Sequence, residues 1–159
     1  MDFYKYTISK KGFWRKSFEI HEDGHLLYKV SCPGWLTYNH LIFRDTNDSE
    51  VLLIEKLFYF SKLKFDFLDK SGLKAQLTRK FFSREYTLNS EIATYTAKSN
   101  WLGNEYTIYL GEDDIAKISR KMMSDHKQYG IAIIEGNHNL FILGMIVSIE
   151  LVRMASKNG

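Results

Sequence analysis

Between Leu140 and Ile149 the chain reads Leu-Phe-Ile-Leu-Gly-Met-Ile-Val-Ser-Ile, and Ser148 is the one polar side chain. It continues as Glu150-Leu-Val-Arg-Met154. A membrane-spanning helix needs about 20 predominantly apolar residues, and here a carboxylate and a guanidinium intervene before that length. A helix at a protein surface carries a polar face, and this stretch has none. It therefore predicts a helix over about residues 139–155 that protein must cover on nearly all sides. The rest of the chain is read as its wrapper.

The wrapper reads as β-structure. Aromatic residues make up 15% of the 159-residue chain, with 11 Phe and 10 Tyr, too rich for disorder and suited to strands. The lone proline, Pro33, and the lack of any Ser/Gly/Pro-rich linker predict a single domain over 1–159. Turn tetrads recur at short intervals: Glu22-Asp-Gly-His25, Asp45-Thr-Asn-Asp48, Asp69-Lys-Ser-Gly72, Gly111-Glu-Asp-Asp114 and Glu135-Gly-Asn-His138. Asn, Asp and Gly tolerate the left-handed backbone that hairpins use. Between them lie twelve predicted strands. These are Phe3–Ser9, Phe13–Ile20, Leu26–Cys32, Thr37–Phe43, Val51–Leu57, Lys64–Leu68, Leu73–Lys80, Glu85–Asn89, Ile92–Lys98, Glu105–Leu110, Ile115–Met122 and Gln128–Ile134. Short strands at this spacing form a sandwich or a barrel.

Two stretches, Ser49–Leu63 and Asp114–His126, also fit an amphipathic helix. An internal repeat favours strands in both. Leu77-Thr-Arg-Lys-Phe-Phe-Ser83 and Ile118-Ser-Arg-Lys-Met-Met-Ser124 share one pattern, and Ile54-Glu-Lys-Leu-Phe58 is a looser copy. Each follows a turn and the alternating strand leading into it, which makes a repeated hairpin unit.

The net charge of +3, from 22 basic and 19 acidic residues, is no nucleic-acid signature, and no nucleic-acid partner is expected. Cys32 is the only cysteine, so no intrachain disulfide forms and a reducing compartment is expected. Met1-Asp-Phe-Tyr-Lys-Tyr6 lacks the pattern of a signal peptide. The expected location is cytoplasmic, with a peripheral place at the inner membrane face left open.

The run Ile115-Ala-Lys-Ile-Ser-Arg-Lys-Met-Met-Ser124, then Tyr129-Gly-Ile-Ala-Ile133, then the apolar helix ending Ser148-Ile-Glu-Leu-Val152, resembles the tubby-like C-terminal superfamily. The nearest branch is that of the LURP-one-related and bacterial tubby-C-like domains, with phospholipid scramblases more distant. Asn100-Trp-Leu-Gly-Asn-Glu-Tyr-Thr-Ile108 fits the strands that precede these in the superfamily. The resemblance implies a mainly β fold: a closed antiparallel barrel of about twelve strands wrapped around the buried C-terminal helix. Relatives bind phosphoinositide headgroups through Lys and Arg on neighbouring strands. Carried to this chain, that implies an anion-binding face of Arg79, Lys80, Arg84, Arg120 and Lys121.

The residues leave two readings of those cations. Phosphate needs clustered cationic donors, and Arg offers a two-pronged fork. An ordinary solvated strand surface fits them too, and strand neighbours such as Arg79 and Lys80 point to opposite faces. Glu150, inside a helix expected to be buried, needs a partner: Arg153 three residues on, or Arg79 or Arg120 pointing inward. His21 and His25 flank one turn, but two ligands make no metal site, and neither metal nor cofactor is expected. Cys32, with no local histidine, reads as a small apolar filler. No phosphate-cradling loop or nucleophile elbow occurs. The expected function is a non-catalytic binding module for anionic phospholipid or another phosphorylated ligand; the alternative is a protein-interaction or structural domain without a small ligand.

Overall fold

The computed structural model describes residues 2–11, 17–33, 40–58, 62–80, 83–99, 105–119, 128–134 and 136–157, with side chains except at 58 and 155–157. Its strands are β1 (Phe3–Lys11), β2 (Ser17–Glu22), β3 (His25–Ser31), β4 (His40–Arg44), β5 (Glu50–Phe58) and β6 (Lys62–Asp69). They continue with β7 (Gly72–Lys80), β8 (Glu85–Ser90), β9 (Thr94–Ser99), β10 (Glu105–Leu110), β11 (Asp113–Ser119) and β12 (Gln128–Ile134). Each pairs antiparallel with its sequence neighbours, and β1 pairs with β12 from Phe3↔Ile134 to Ser9↔Gln128, closing a barrel. Closure leaves no sheet edge open to pairing with another chain.

The described parts of the two stretches with helical alternatives are strands, β5 with the start of β6 in one and β11 in the other, while residues 59–61 and 120–126 lie outside the described residues. Period-two alternation decides the inner face. On β6, Leu63, Phe65 and Phe67 are buried, while Lys62, Lys64 and Asp66 face outward. β6 is longer than predicted because the lysines before Phe65 continue that alternation. For the predicted strands Phe13–Ile20, Thr37–Phe43 and Ile115–Met122, residues 13–16, 37–39 and 120–122 lie outside the described residues.

The turns follow their chemistry. Asp23 and Gly24, at φ 48° and 84°, both adopt the left-handed backbone of a two-residue hairpin between β2 and β3. The Asp45 carboxylate accepts hydrogen bonds from the backbone N–H of Asn47 and Ser49 at 2.9 and 3.0 Å. Register shifts interrupt β2–β3, β4–β5, β6–β7 and β10–β11, each near the tight turn joining the pair. Such bulges add local twist, which closure of a sheet into a barrel requires.

Helix α1 (Asn139–Lys157) starts just after β12 and runs through the barrel. Every residue from Phe141 to Leu151 is buried. Eight of them carry large apolar side chains: Phe141, Ile142, Leu143, Met145, Ile146, Val147, Ile149 and Leu151. At 1.5–3 kcal/mol each, their burial contributes on the order of 10–20 kcal/mol, as much as the net stability of a typical domain. Helix and wall meet most closely at Gly144, where a Cβ would lie 2.9 Å from Phe67 Cε2, 3.0 Å from Ile54 Cδ1 and 3.1 Å from Leu52 Cδ2. The Ser148 hydroxyl donates to the Gly144 carbonyl at 2.8 Å, so the one polar side chain in the apolar run is satisfied within its own helix. No described helix is long and apolar enough to cross a membrane.

Tyrosines of the wall fix the helix entrance. The His138 N–H donates to Tyr95 Oη at 3.3 Å, and Asn139 Nδ2 donates to Tyr6 Oη at 2.7 Å. The His138 ring stacks on Phe141, which meets Phe67 edge to face. Burial pushes the Tyr6 phenol well above its ordinary pKa, against the opposing pull of the Asn139 hydrogen bond.

Candidate functional site at the helix-exit mouth

The odd-numbered strands all run toward the end of the barrel where α1 finishes. The repeated motif falls on two of them, β5 and β7, at equivalent places. In each copy a buried aliphatic, Ile54 or Leu77, is followed two residues later by a cation, Lys56 or Arg79. Residues directly opposite on paired strands share a face. Lys56 pairs with buried Phe65, and Arg79 with buried Leu63, so both cations face inward. On β1, Lys10 pairs with buried Phe18 and faces inward as well. Burial lowers the Lys56 ammonium below the ordinary lysine pKa, since its charged form loses hydration; buried Cys32 lies close enough to favour that charge.

The helix supplies the other side of this mouth. Glu150 is 1% exposed, and Arg153 Nη1 lies 3.5 Å from its Oε1. The sequence offered Arg153, Arg79 or Arg120 as its partner; Arg153, one helical turn on, forms the ion pair. Arg79 Nη1 donates to Tyr86 Oη at 3.2 Å, and its guanidinium carbon sits 5.3 Å from the centre of that ring. Arg79 Nε is buried without a hydrogen-bond partner among the described residues. Burial raises the Tyr86 phenol, Arg79 pulls it down, and Glu150 pushes it up. Tyr86 thus senses both the wall cation and the helix carboxylate.

Of the five predicted anion-site residues, the neighbours Arg79 and Lys80 point to opposite faces of β7. Arg79 faces the interior, Lys80 is exposed on the outer face, and Arg84 is exposed just before β8. Arg120 and Lys121 lie outside the described residues; Arg120 holds the matching place in the repeat. Outside, Lys80 stands directly opposite exposed Lys62. Of the inward lysines, Lys56 was missed by sequence reasoning. The repeat held the signal for Lys56: its first copy places Lys where the second places Arg.

Other candidates resolve locally. His21 lies 4.0 Å from Glu19, and His40 3.8 Å from Glu55. Among the described residues no three metal-ligating side chains come together. An outer hollow of about 360 Å³ is lined by Glu85, Thr96, Lys98 and Tyr109, and Glu85 stands opposite Lys98 in register. Lys98 Nζ lies 5.6 Å from the centre of the Tyr109 ring.

Comparison with known proteins places this barrel. The model of the LURP-one-related family matches residues 4–150. The chain belongs to the LURP-one-related family. That match takes in the wall from β1 onward and the helix as far as Glu150. An X-ray structure of a protein from Arabidopsis thaliana superposes on this LURP-one-related domain with a TM-score of 0.64. The superposition covers 95% of this chain and 91% of the other at 17% identity, which shows a shared fold. No curated protein matches the chain.

Proposed function

We propose that this LURP-one-related domain is a non-catalytic binding module for an anionic, phosphate-bearing ligand, with an acidic phospholipid headgroup at a peripheral membrane face as the foremost case. The observation that carries the reading is the Lys62–Lys80 pair. Two exposed ammonium groups directly opposite one another concentrate positive charge at one place on the outer wall, where an anionic group can engage both. Arg84, four residues after Lys80 and just before β8, is a further exposed cation in the same stretch of chain. Flotation with vesicles containing or lacking acidic phospholipid tests the proposal. Binding is expected only with acidic lipid and is expected to weaken as salt rises, because exposed charges are screened. Equal binding to neutral vesicles, or none to either, refutes it.

A second reading, a protein-interaction domain, draws on the opposite rim. Leu73, Ile92 and Leu110 are 50%, 77% and 37% exposed, on or beside turns that also carry Asp69, Glu91 and Glu112. Apolar side chains among carboxylates suit a partner protein that is both basic and apolar, and they do not suit an acidic bilayer. Replacing all three by serine would abolish such an interaction and leave vesicle binding unchanged.

A further inference from the structure

The exposed large apolar side chains of the described residues, Phe3, Tyr4, Leu73, Ile92 and Leu110, all lie at the end of the barrel where the helix enters. The strand ends and turns of that rim are residues 2–5, 22–25, 44–50, 69–74, 90–94, 110–114 and 136–139. They hold eleven acidic and four basic residues, a formal charge of −7. The whole chain, with 22 basic and 19 acidic residues, carries +3. The rest of it therefore holds 18 basic and eight acidic residues, or +10. Pairing between neighbours leaves this balance unchanged, because an ion pair removes one charge of each sign. A net charge of +3 thus conceals a barrel that is acidic at one end and basic elsewhere.

Apolar side chains at the tip of a barrel favour insertion into a bilayer. At an anionic bilayer the carboxylates around them oppose it, since the surface potential repels negative charge. The far ends of the strands have the opposite character. β1 ends on Lys10 and Lys11, and Lys62 opens β6 directly opposite Lys80, the last residue of β7. A strand of nine residues such as β7 holds the two ends roughly 20 Å apart along a tilted barrel. That exceeds the distance of about 8 Å over which physiological salt screens charge. An anionic surface that draws in the basic end therefore leaves the acidic rim outside its field.

We infer that the domain docks on an anionic bilayer in one orientation, with the Lys62–Lys80 end of the wall toward the headgroups and the helix-entry rim turned away. This inference rests on the acidic-phospholipid reading and adds which end of the barrel meets the lipid. In that orientation Leu73, Ile92 and Leu110 stay in contact with water while the domain is bound.

The test uses vesicles containing an acidic phospholipid and a headgroup-linked energy acceptor. Cys32 is buried and is replaced by alanine, so that each variant carries one thiol. A donor dye is attached to Ile92→Cys at the rim or to Ser83→Cys, between β7 and β8 at the opposite end. Each variant is first checked for a wild-type melting transition. Should Cys32→Ala fail to fold, the buried thiol is retained and the dye is attached under native conditions. The Ser83 dye is expected to transfer energy about twice as efficiently as the Ile92 dye or more, given their separation of roughly 20 Å. Ile92→Ser with Leu110→Ser is expected to bind acidic vesicles like wild type.

Equal transfer from the two dyes, or stronger transfer from Ile92, overturns the orientation while the binding module stands. So does a loss of vesicle binding of about tenfold in the double serine variant, which would show the rim inserted. If wild-type protein does not bind acidic vesicles, both fall.

Discussion

Gly144 of the helix faces Phe67 of β6 so closely that a single added carbon would lie 2.9 Å from the phenyl ring. Two further wall side chains, Ile54 and Leu52, stand within 3.1 Å of that same point. Phe67 is fully buried, and the two aliphatics are nearly so, which leaves little room to withdraw. Glycine normally weakens a helix by about 1 kcal/mol relative to alanine. Here the barrel wall requires it.

Gly144→Val is therefore expected to destabilise the domain by about 3 kcal/mol or more, because overpacking at three contacts outweighs any gain in helix propensity. Urea denaturation measures it. A variant as stable as wild type would show that helix and wall are not in close contact there.

Leu143→Asp and Ile146→Asp each place a carboxylate at a position with no solvent exposure, within the apolar core. The cost of burying an unpaired charge is comparable to total domain stability. Each variant is expected to lose its cooperative melting transition altogether. A folded variant would mean that α1 is not the core.

For the Glu150–Arg153 pair, removing one partner takes away part of what compensates the other's charge at a buried position. Arg153→Met alone is expected to cost about 2–4 kcal/mol, less than a fully buried pair because the Arg153 side chain is 25% exposed. Glu150→Leu with Arg153→Met is expected to lie within about 1 kcal/mol of wild type. Strictly additive costs in the double-mutant cycle would refute the coupling.

Burial raises the phenol pKa of Tyr6, Tyr28 and Tyr86, so folding favours their neutral form. Their stabilisation is complete below pH about 10, the unfolded value, and is lost as pH rises above it, because the unfolded chain releases those protons first. Ultraviolet titration of tyrosinate should show these phenols ionising late in folded protein and together with the rest in urea. A single transition in both states would contradict their burial.

Much of the fold was legible in the residues. Tyr106-Thr-Ile-Tyr-Leu110 alternates cleanly because one face of β10 meets the core, and Asp23-Gly24 permits little besides a tight hairpin. Glu150 and Arg153 were legible because one helical turn separates them. The direction of each basic pair was not. Alternation says that Arg79 and Lys80 part company, but only the register against Leu63 and Lys62 shows which turns inward. The contact of Arg79 with Tyr86 crosses from β7 to β8 and has no periodic signature. The bulges were equally hidden, because one extra residue in a strand leaves no mark in composition.

The helix that fills the barrel follows all twelve described strands in the chain. During synthesis the ribosome releases residues 3–134, with their alternating apolar side chains, before the element those side chains surround. The β1–β12 seam joins positions as far apart as Phe3 and Ile134, so its closure carries a large loop entropy and comes late. An incomplete chain is consequently a row of hairpins with an uncovered inner face and open edges, prone to aggregate. Native structure waits on the arrival of residues 139–157.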